Sequence, residues 1–499
     1  MKLTDLLAYT EVLAAAGELT EKVALVTYDS RQVREDSLFV AIEGYKIDGH
    51  NFIQDALIRG ATAVIIQDPA YKSDLYSWVL VPNTRIALAD LSSAFWSFPS
   101  GKLNLIGVTG TNGKTTTTNL ITTILEDHGW RTGLIGTIHN RIGQDIIPVH
   151  HTTPEAPELQ GLFQEFLHKG AEYAVMEVSS HALELHRVRG SEFDVAVFTN
   201  LTQDHLDFHG DMEQYLAAKG KLFNSLGKQT RKQRRKFAII NIDDPYGRQL
   251  AEMTGVPMIT YGVKNSADVK ADQVEVAASG VKFQLRYTDQ ILPVSLKLTG
   301  IFNVYNALAA IAVGLVENVP IKSIIASLEN IPGIPGRFET VNEGQDFTVI
   351  VDYSHTPDSL ENCLKTAREF AQGRIITVFG CGGDRDKTKR PIMGEVAARL
   401  SDFVVITSDN PRSENPRDII CDIVPGVMKA MEPQQFVEIV DRREAITLAV
   451  GEAKAGDVVI IAGKGHEDYQ IIGTEVLPFA DQVVVADAIK ARGHSQPNR

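Results

Sequence analysis

The chain has 499 residues, too many for one ordinary core, so two to four domains are expected. With 44% hydrophobic and 22% charged residues it has the composition of a soluble globular protein. Its net charge of −14 argues against a field that gathers nucleic acid or anionic membrane, so an anionic substrate must be caught by local groups.

The N-terminal "MKLTDLLAYTEVLAAAG" is interrupted by Asp5 and Glu11, which argues against a signal peptide and for an amphipathic first helix. No segment is long and apolar enough to span a bilayer. Short apolar runs, "SLFVAI", "TAVIIQD" and "WVLVPN", then alternate with helical stretches as far as the junction "WSFPSGK", which predicts a small α/β unit over residues 1–98. Cys363, Cys381 and Cys421 have neither a metal-ligand spacing nor an even count, which favours a reducing compartment and a cytoplasmic protein.

From Leu103 the pattern becomes strand, glycine-rich loop and helix. The loop is "GVTGTNGKTTTT", Gly107 to Thr118. A turn of this kind after a buried strand aims backbone N–H groups at phosphate oxygens, and the following helix adds its positive end. Lys114 would reach the β/γ-phosphates and Thr115 would offer a hydroxyl to Mg²⁺. The strict P-loop spacing requires a glycine where Val108 stands, so the glycines at 107, 110 and 113 depart from it.

Apolar strands at "AEYAVMEVS", "FDVAVFTN" and "KFAIINID" extend this block into a mostly parallel sheet flanked by helices, ending at "ENIPGIPGRFE" near residue 335. Glu177 closes the first of these strands, with Ser179, His181 and Arg187 following. It could complete a Mg²⁺ shell with Thr115, although a strand-end glutamate on its own is an ordinary surface residue. The next strand leads into "TNLTQDHLDFHGDMEQYLAAKGKLF", with Asp204 and His205 ahead of Lys219 on a helix, and metal binding or a polar loop both fit. The basic run "KQTRKQRRK", Lys228 to Lys236, lacks interleaved aromatics and reads as a solvated turn. Beyond residue 335, "FTVIVDYS", "GRIITVFG", "DFVVITSD" and "DVVIIAGKG" alternate with helical stretches, a third α/β layer structure.

The segments "GTNGKTTTT", "MEVSSHA", "DHLDFHGDMEQYLAAK", "GIFNVYNALAA", "PGRFE", "DYSHTPDSL", "GCGGDRDKTKRP", "DNPR" and "GKGHE" stand in order along nearly the whole chain. Together they resemble the Mur ligases, most closely the members that add the third peptide residue to UDP-N-acetylmuramoyl-L-alanyl-D-glutamate. The resemblance implies three domains: an N-terminal UDP-binding domain over 1–98, a central P-loop-type ATPase domain over 99–334 and a C-terminal Rossmann-like, amino-acid-binding domain over 335–499. It implies ATP-dependent amide formation in peptidoglycan precursor synthesis with meso-diaminopimelate as the incoming amino acid, L-lysine being the alternative. Mg²⁺ is the implied cofactor, ATP the co-substrate, and no nucleic acid or membrane partner is expected of a monomer.

Carried over residue by residue, the resemblance makes Lys114, His205 and Lys219 catalytic, Lys219 as a CO₂-derived carbamate. ATP falls to Gly110, Thr111, Asn112, Gly113, Lys114, Thr115 and Thr116, with Asn303 near adenine and Arg337 near the phosphates. Metal ligands are Thr115, Glu177, His205 and carbamylated Lys219. "YDSRQV" and "EGYKIDGHNFI" match the uridine side, with Ser30 the contact, while Thr152, Thr153, Ser179 and Arg187 face the muramoyl-dipeptide. The amino acid falls to Arg385, Asp409, Asn410, Pro411, Arg412, Gly463 and Glu467. Diaminopimelate carries one more carboxylate than lysine, and the planar guanidinium of Arg412 suits that group. A P-loop switch or transport ATPase would leave the muramoyl segments and "DNPR" unexplained. The related folylpolyglutamate synthases lack a UDP-binding first domain.

Overall fold

The computed structural model describes residues 1–44, 47–149, 151–228 and 230–495; Tyr45 and Lys46 of "EGYKIDGHNFI" and Gln229 of "KQTRKQRRK" lie outside them. The chain forms two compact units, one of Met1–Gly110, Ile121–Asn200 and His205–Thr260, the other of Thr111–Leu120, Leu201–Asp204 and Tyr261–Arg499.

The first unit contains two sheets. The smaller has the order Ala14–Ala16, Trp78–Leu80, Ala61–Ile66, Ser37–Val40, Leu25–Thr27, parallel except for its first strand. Alternate residues of one strand enter two cores: Leu38 and Val40 pack with Ala63, Ile65 and Val79, while Phe39 packs with Val64, Ile66 and Trp78. Both faces are covered, which is why these strands read as continuous apolar runs. In the larger sheet Asn104–Thr109 runs parallel between Tyr173–Glu177 and Val195–Phe198, with Thr132–Ile135 and Phe237–Asn241 outside them. The registers Glu177↔Val108 and Phe198↔Thr109 bring three carboxyl strand ends side by side. Ligands of open α/β sheets gather at such an edge.

In the second unit a six-stranded sheet has the order Glu339–Val341, Thr348–Asp352, Val458–Ala462, Ile375–Phe379, Phe403–Ile406, Phe436–Glu438. Only its first strand is antiparallel. Helices Pro357–Phe370, Lys389–Leu400 and Pro416–Val427 cover one face, and Arg442–Glu452 with Asp481–Ser495 cover the other. The apolar helix Ile301–Val316 and three antiparallel strands, Val269–Ala277, Gly280–Tyr287 and Gln290–Leu296, complete the unit. Among the described residues no helix is long and apolar enough to cross a membrane.

Two sequence expectations need correction. The first helix spans only Leu3–Leu7, because Ala14–Ala16 leaves the helical path to pair with Trp78–Leu80. The basic run is not a freely solvated turn: the side chain of Lys232 is only 7% exposed, its ammonium 2.6 Å from Asp194 Oδ2 and donating to Glu192 O. Arg231 pairs with Glu192 at 2.9 Å and stacks 3.4 Å over the Phe98 ring. Its aromatic partners lie outside the run, so local sequence could not show them.

Candidate functional site

The phosphate loop begins where Asn104–Thr109 leaves the sheet. Gly110 and Gly113 have φ of +152° and +85°, and a Cβ would stand 1.8 Å from Thr199 Oγ1 at the first and 2.4 Å from Asn306 Oδ1 at the second. Both positions therefore require glycine. Helix Lys114–Asp127 starts at once, so its first N–H groups and positive end face the loop. Lys114 Nζ donates to Thr111 O at 2.8 Å, folding the ammonium back over that loop. Thr115 and Thr116 are buried, and Thr115 Oγ1 accepts from Arg337 Nη2 at 3.0 Å.

The rest of the second unit buttresses this loop. Asn112 Nδ2 donates to Asp358 Oδ2 at 2.7 Å, and the same oxygen accepts from Thr202 Oγ1 at 2.8 Å. Thr111 and Thr202 are joined by reciprocal hydrogen bonds of 3.2 and 3.0 Å. Asn303, expected beside adenine, is buried. Its amide donates to Thr299 O and accepts from Asn306 Nδ2, which places it under the loop through the Asn306–Thr117 bond of 3.3 Å.

The first unit gathers the muramoyl-side residues around Glu177. This buried carboxylate accepts from Thr137 N at 2.8 Å and Thr137 Oγ1 at 3.0 Å, and that hydroxyl lies 3.1 Å from Thr152 Oγ1. Thr153 donates to Glu177 O and accepts from Ser179 N, while Ser179 Oγ caps the next short helix. Arg187 donates to Thr153 O at 3.2 Å, and its Nε stands 2.8 Å from Glu155 Oε1. Tyr28 of "YDSRQV" titrates high because it is buried near Glu158 and Glu155, and burial likewise raises Glu158. The uridine-side and dipeptide-side segments therefore share one electrostatic neighbourhood. Ser30 opens a 3₁₀ turn capped by Asp29 and bonds Asp55.

His205, with φ of +54°, sits edge-on to His181 at 4.7 Å between ring centroids. His209 stacks on Tyr215 at 4.9 Å and bonds Ser180 Oγ at 2.9 Å. Burial, then the nearby Lys219 amine and His205, hold His209 below the ordinary histidine range. Lys219 is buried, with its amine 2.9 Å from Gly110 O and 4.4 Å over the Tyr215 ring. Glu177, His205 and Lys219 belong to the first unit, Thr115 to the second. Carboxylate and hydroxyl oxygens are hard donors suited to Mg²⁺, and each Glu177 oxygen retains acceptor capacity beyond its bond to Thr137.

At the carboxyl ends of the second unit's sheet, three loops carry the residues expected to meet the amino acid, after strands Ile375–Phe379, Phe403–Ile406 and Val458–Ala462. Asn410 donates to Glu467 Oε2 at 2.8 Å and accepts from Ile471 N at 2.9 Å. The buried Lys464 ammonium lies 3.0 Å from Glu467 Oε2 and 3.2 Å from Asn410 Oδ1. A Cβ at Gly463 would meet Asp409 Oδ2 at 2.6 Å, so the carboxylate packs against bare backbone. Arg412 has φ of +51°, and its Nη1 donates to Gly383 O at 2.9 Å and Asn410 O at 3.4 Å. Among the described residues its Nε and Nη2 take no protein acceptor. Pro411 is buried behind it, and Arg385 is exposed on the facing loop.

This order of sites matches three family descriptions in sequence: "Mur ligase family, catalytic domain" over residues 22–96, "Mur ligase middle domain" over 108–314 and "Mur ligase, glutamate ligase domain" over 336–465. The chain is 48% identical over 493 residues, 99% of its length and 100% of the relative's, to the UDP-N-acetylmuramoyl-L-alanyl-D-glutamate--2,6-diaminopimelate ligase of Geobacillus kaustophilus. The chain belongs to the Mur ligase family. A second relative of the same name, from Geobacillus thermodenitrificans, is 50% identical over 94% of this chain and 95% of its own. A solved structure of a ligase so named superposes with a TM-score of 0.70 at 32% identity, covering 99% of this chain and all of that one. This Mur ligase therefore has the family's three-domain α/β fold and belongs to a group of ATP-dependent amide ligases.

Sequence reading missed several groups that hold these sites. Lys464 and Asp358 lie inside quoted motifs, "GKGHE" and "DYSHTPDSL", and a polar residue in such a segment was the available signal. Thr137 had none: "GTIHN" carries no pattern that points to Glu177.

Proposed function

We propose that the protein joins meso-diaminopimelate to the D-glutamate side-chain carboxylate of UDP-N-acetylmuramoyl-L-alanyl-D-glutamate, consuming ATP. The carboxylate attacks the γ-phosphorus and ADP leaves, giving an acyl phosphate; the amino acid's amine then attacks the acyl carbon and phosphate leaves. The observation that carries this reading is the Asp409–Arg412 loop with Asn410, Lys464 and Glu467 locked beneath it. A guanidinium with two unfilled edges, beside a carboxylate and a buried amide, matches an amino acid that ends in both an ammonium and a carboxylate.

Residues 110–116 hold the phosphates, with Lys114 countering charge as it spreads over the phosphoryl oxygens, and Arg337 adds a second cation through Thr115. Glu177, Thr115, His205 and Lys219 as a carbamate are the residues that would hold Mg²⁺, which would supply charge neutralisation at the phosphates when bound. The carbamate reading is supported by the burial of Lys219 beside the phosphate loop, its amine 2.9 Å from Gly110 O and 4.4 Å over the Tyr215 ring, on a stem long enough to present oxygen instead of nitrogen. Thr152, Thr153, Ser179 and Arg187 take the muramoyl-dipeptide, and Ser30 the uridine side. The three domains are 1–98, 99–334 and 335–499, and the enzyme works as a cytoplasmic monomer. The test is ADP release with UDP-muramoyl-dipeptide and a panel of amino acids. Turnover indifferent to the muramoyl substrate would overturn the function, and equal use of L-lysine and meso-diaminopimelate would overturn the amino-acid assignment.

A further inference from the structure

The loops bearing Arg385 and Arg412 are tied together by groups that touch neither ligand nor reacting atoms. The buried guanidinium of Arg390, on helix Lys389–Leu400, grips Glu414 with two bonds, Nη2–Oε1 at 2.8 Å and Nη1–Oε2 at 3.0 Å. Its Nη1 also reaches Asp422 Oδ2 at 2.8 Å, and its Nη2 donates to Gly382 O at 3.3 Å. Glu414 Oε1 in turn accepts from Asp384 N at 2.6 Å. The Asp384 carboxylate accepts from Ser413 Oγ at 2.6 Å and Ser413 N at 3.2 Å. Gly383 N donates to Asn410 O at 2.9 Å, so the two loops are joined by backbone as well.

The consequence is geometric. A Cβ on Gly382 would stand 3.0 Å from Arg412 Nη1 and 3.7 Å from Arg385 Cγ, so the two arginines flank a single glycine whose carbonyl is held by Arg390. Arg412 and Asp384 both have positive φ, at +51° and +54°, conformations that persist only where surrounding structure over-determines them. Burying an ion pair is poor evidence of added stability, and its best-attested use is to fix register.

We propose that Glu414, clamped by Arg390, is a positioning residue for amino-acid recognition: it sets the spacing of Arg385 and Arg412. The inference rests on the reading that these loops receive the incoming amino acid. In Glu414→Gln the KM for the ligated amino acid rises about tenfold or more, as expected when a gripping group is displaced by a fraction of an ångström, while kcat and the KM values for ATP and the muramoyl substrate stay within about twofold. Lys387→Ala, which removes only the exposed lysine 3.1 Å from Glu414, leaves all of them unchanged. Ser413→Ala, a mild surface change, raises the same KM in the same direction and combines with Glu414→Gln less than additively. If Glu414→Gln is too poorly folded to assay, the Ser413→Ala result decides. A fall in melting temperature with amino-acid KM unchanged in both variants would overturn the proposal, leaving the clamp a stabilising device. The amino acid used is whichever the wild type ligates, so a wild type that prefers L-lysine refutes the substrate assignment without affecting this test.

Discussion

Replacing Arg412 with alanine isolates the proposed grip on the distal carboxylate. The loop should keep its course, because its anchors are backbone groups: Arg412 N donates to Ile471 O at 3.1 Å and Arg412 O accepts from Gly473 N at 2.7 Å. The left-handed backbone at φ of +51° is as costly for alanine as for arginine, so no new strain enters. The side chain's own bonds run to the Gly383 and Asn410 carbonyls, leaving two unfilled N–H edges to meet a carboxylate. Two hydrogen bonds to a charged partner are worth about 1.5–3 kcal/mol each, and about 1.4 kcal/mol is tenfold in rate. The kcat/KM for meso-diaminopimelate is therefore expected to fall by roughly 10²–10⁴. That for L-lysine, which has no distal carboxylate, should move by less than about threefold by the same reckoning. Arg412→Lys should recover only part of the loss, since an ammonium cannot make two parallel bonds. The assay is initial-rate ADP release with both amino acids. An unchanged preference in Arg412→Ala would refute the assignment.

Three further outcomes are expected. Lys219→Ala should abolish turnover, with partial recovery on adding short carboxylates that enter the vacated space, and intact protein should carry one CO₂ by mass measured under mild conditions; full activity of the variant would end the carbamate reading. Arg442 and Asp481 form a fully buried pair at 2.7 Å beneath the Ser408 and Ala462 carbonyls, so Arg442→Met should cost about 3–5 kcal/mol in denaturant unfolding, and adding Asp481→Leu should recover much of it. The Arg390 bonds hold the Glu414 carboxyl at about 2, below its ordinary 4.5, so its contribution to stability is complete above pH 4.5 and lost as pH falls through 2. The Tm gap between wild type and Glu414→Gln should accordingly be flat above that window and close within it, and a gap that instead widens on acidification would contradict the sign.

The strands were legible because both faces of these sheets are covered, which leaves apolar runs such as "AEYAVMEVS" and "DFVVITSD" that contain the observed strands Tyr173–Glu177 and Phe403–Ile406. The phosphate loop was legible for a related reason: glycine at 110 and 113 is forced by neighbours that leave no room for Cβ. What stayed hidden were bonds made across long stretches of chain. Thr137 reaches Glu177 over 40 residues, and Asn112 reaches Asp358 over 246, through side chains that are unremarkable where they stand. The short first helix and the packed basic run failed in the same way, since an edge strand at Trp78–Leu80 and an acid at Asp194 decided them from a distance.

The two halves of the proposed chemistry are held by different physical means. In the proposed function ATP phosphates would be met by backbone N–H groups and a helix end, so the loop at 110–116 needs small residues and one lysine but carries little information about what is ligated. In the proposed function the amino acid is met by side chains that include Arg385 and Arg412, on two loops tied together through Arg390, Glu414, Asp384 and Ser413. Changing the amino acid used then requires more than exchanging Arg412. A new residue at 412 inherits a left-handed backbone and a loop spacing fitted to a guanidinium, so a lysine-using variant needs coordinated change in 409–414 and 382–390, with the phosphate loop left as it is.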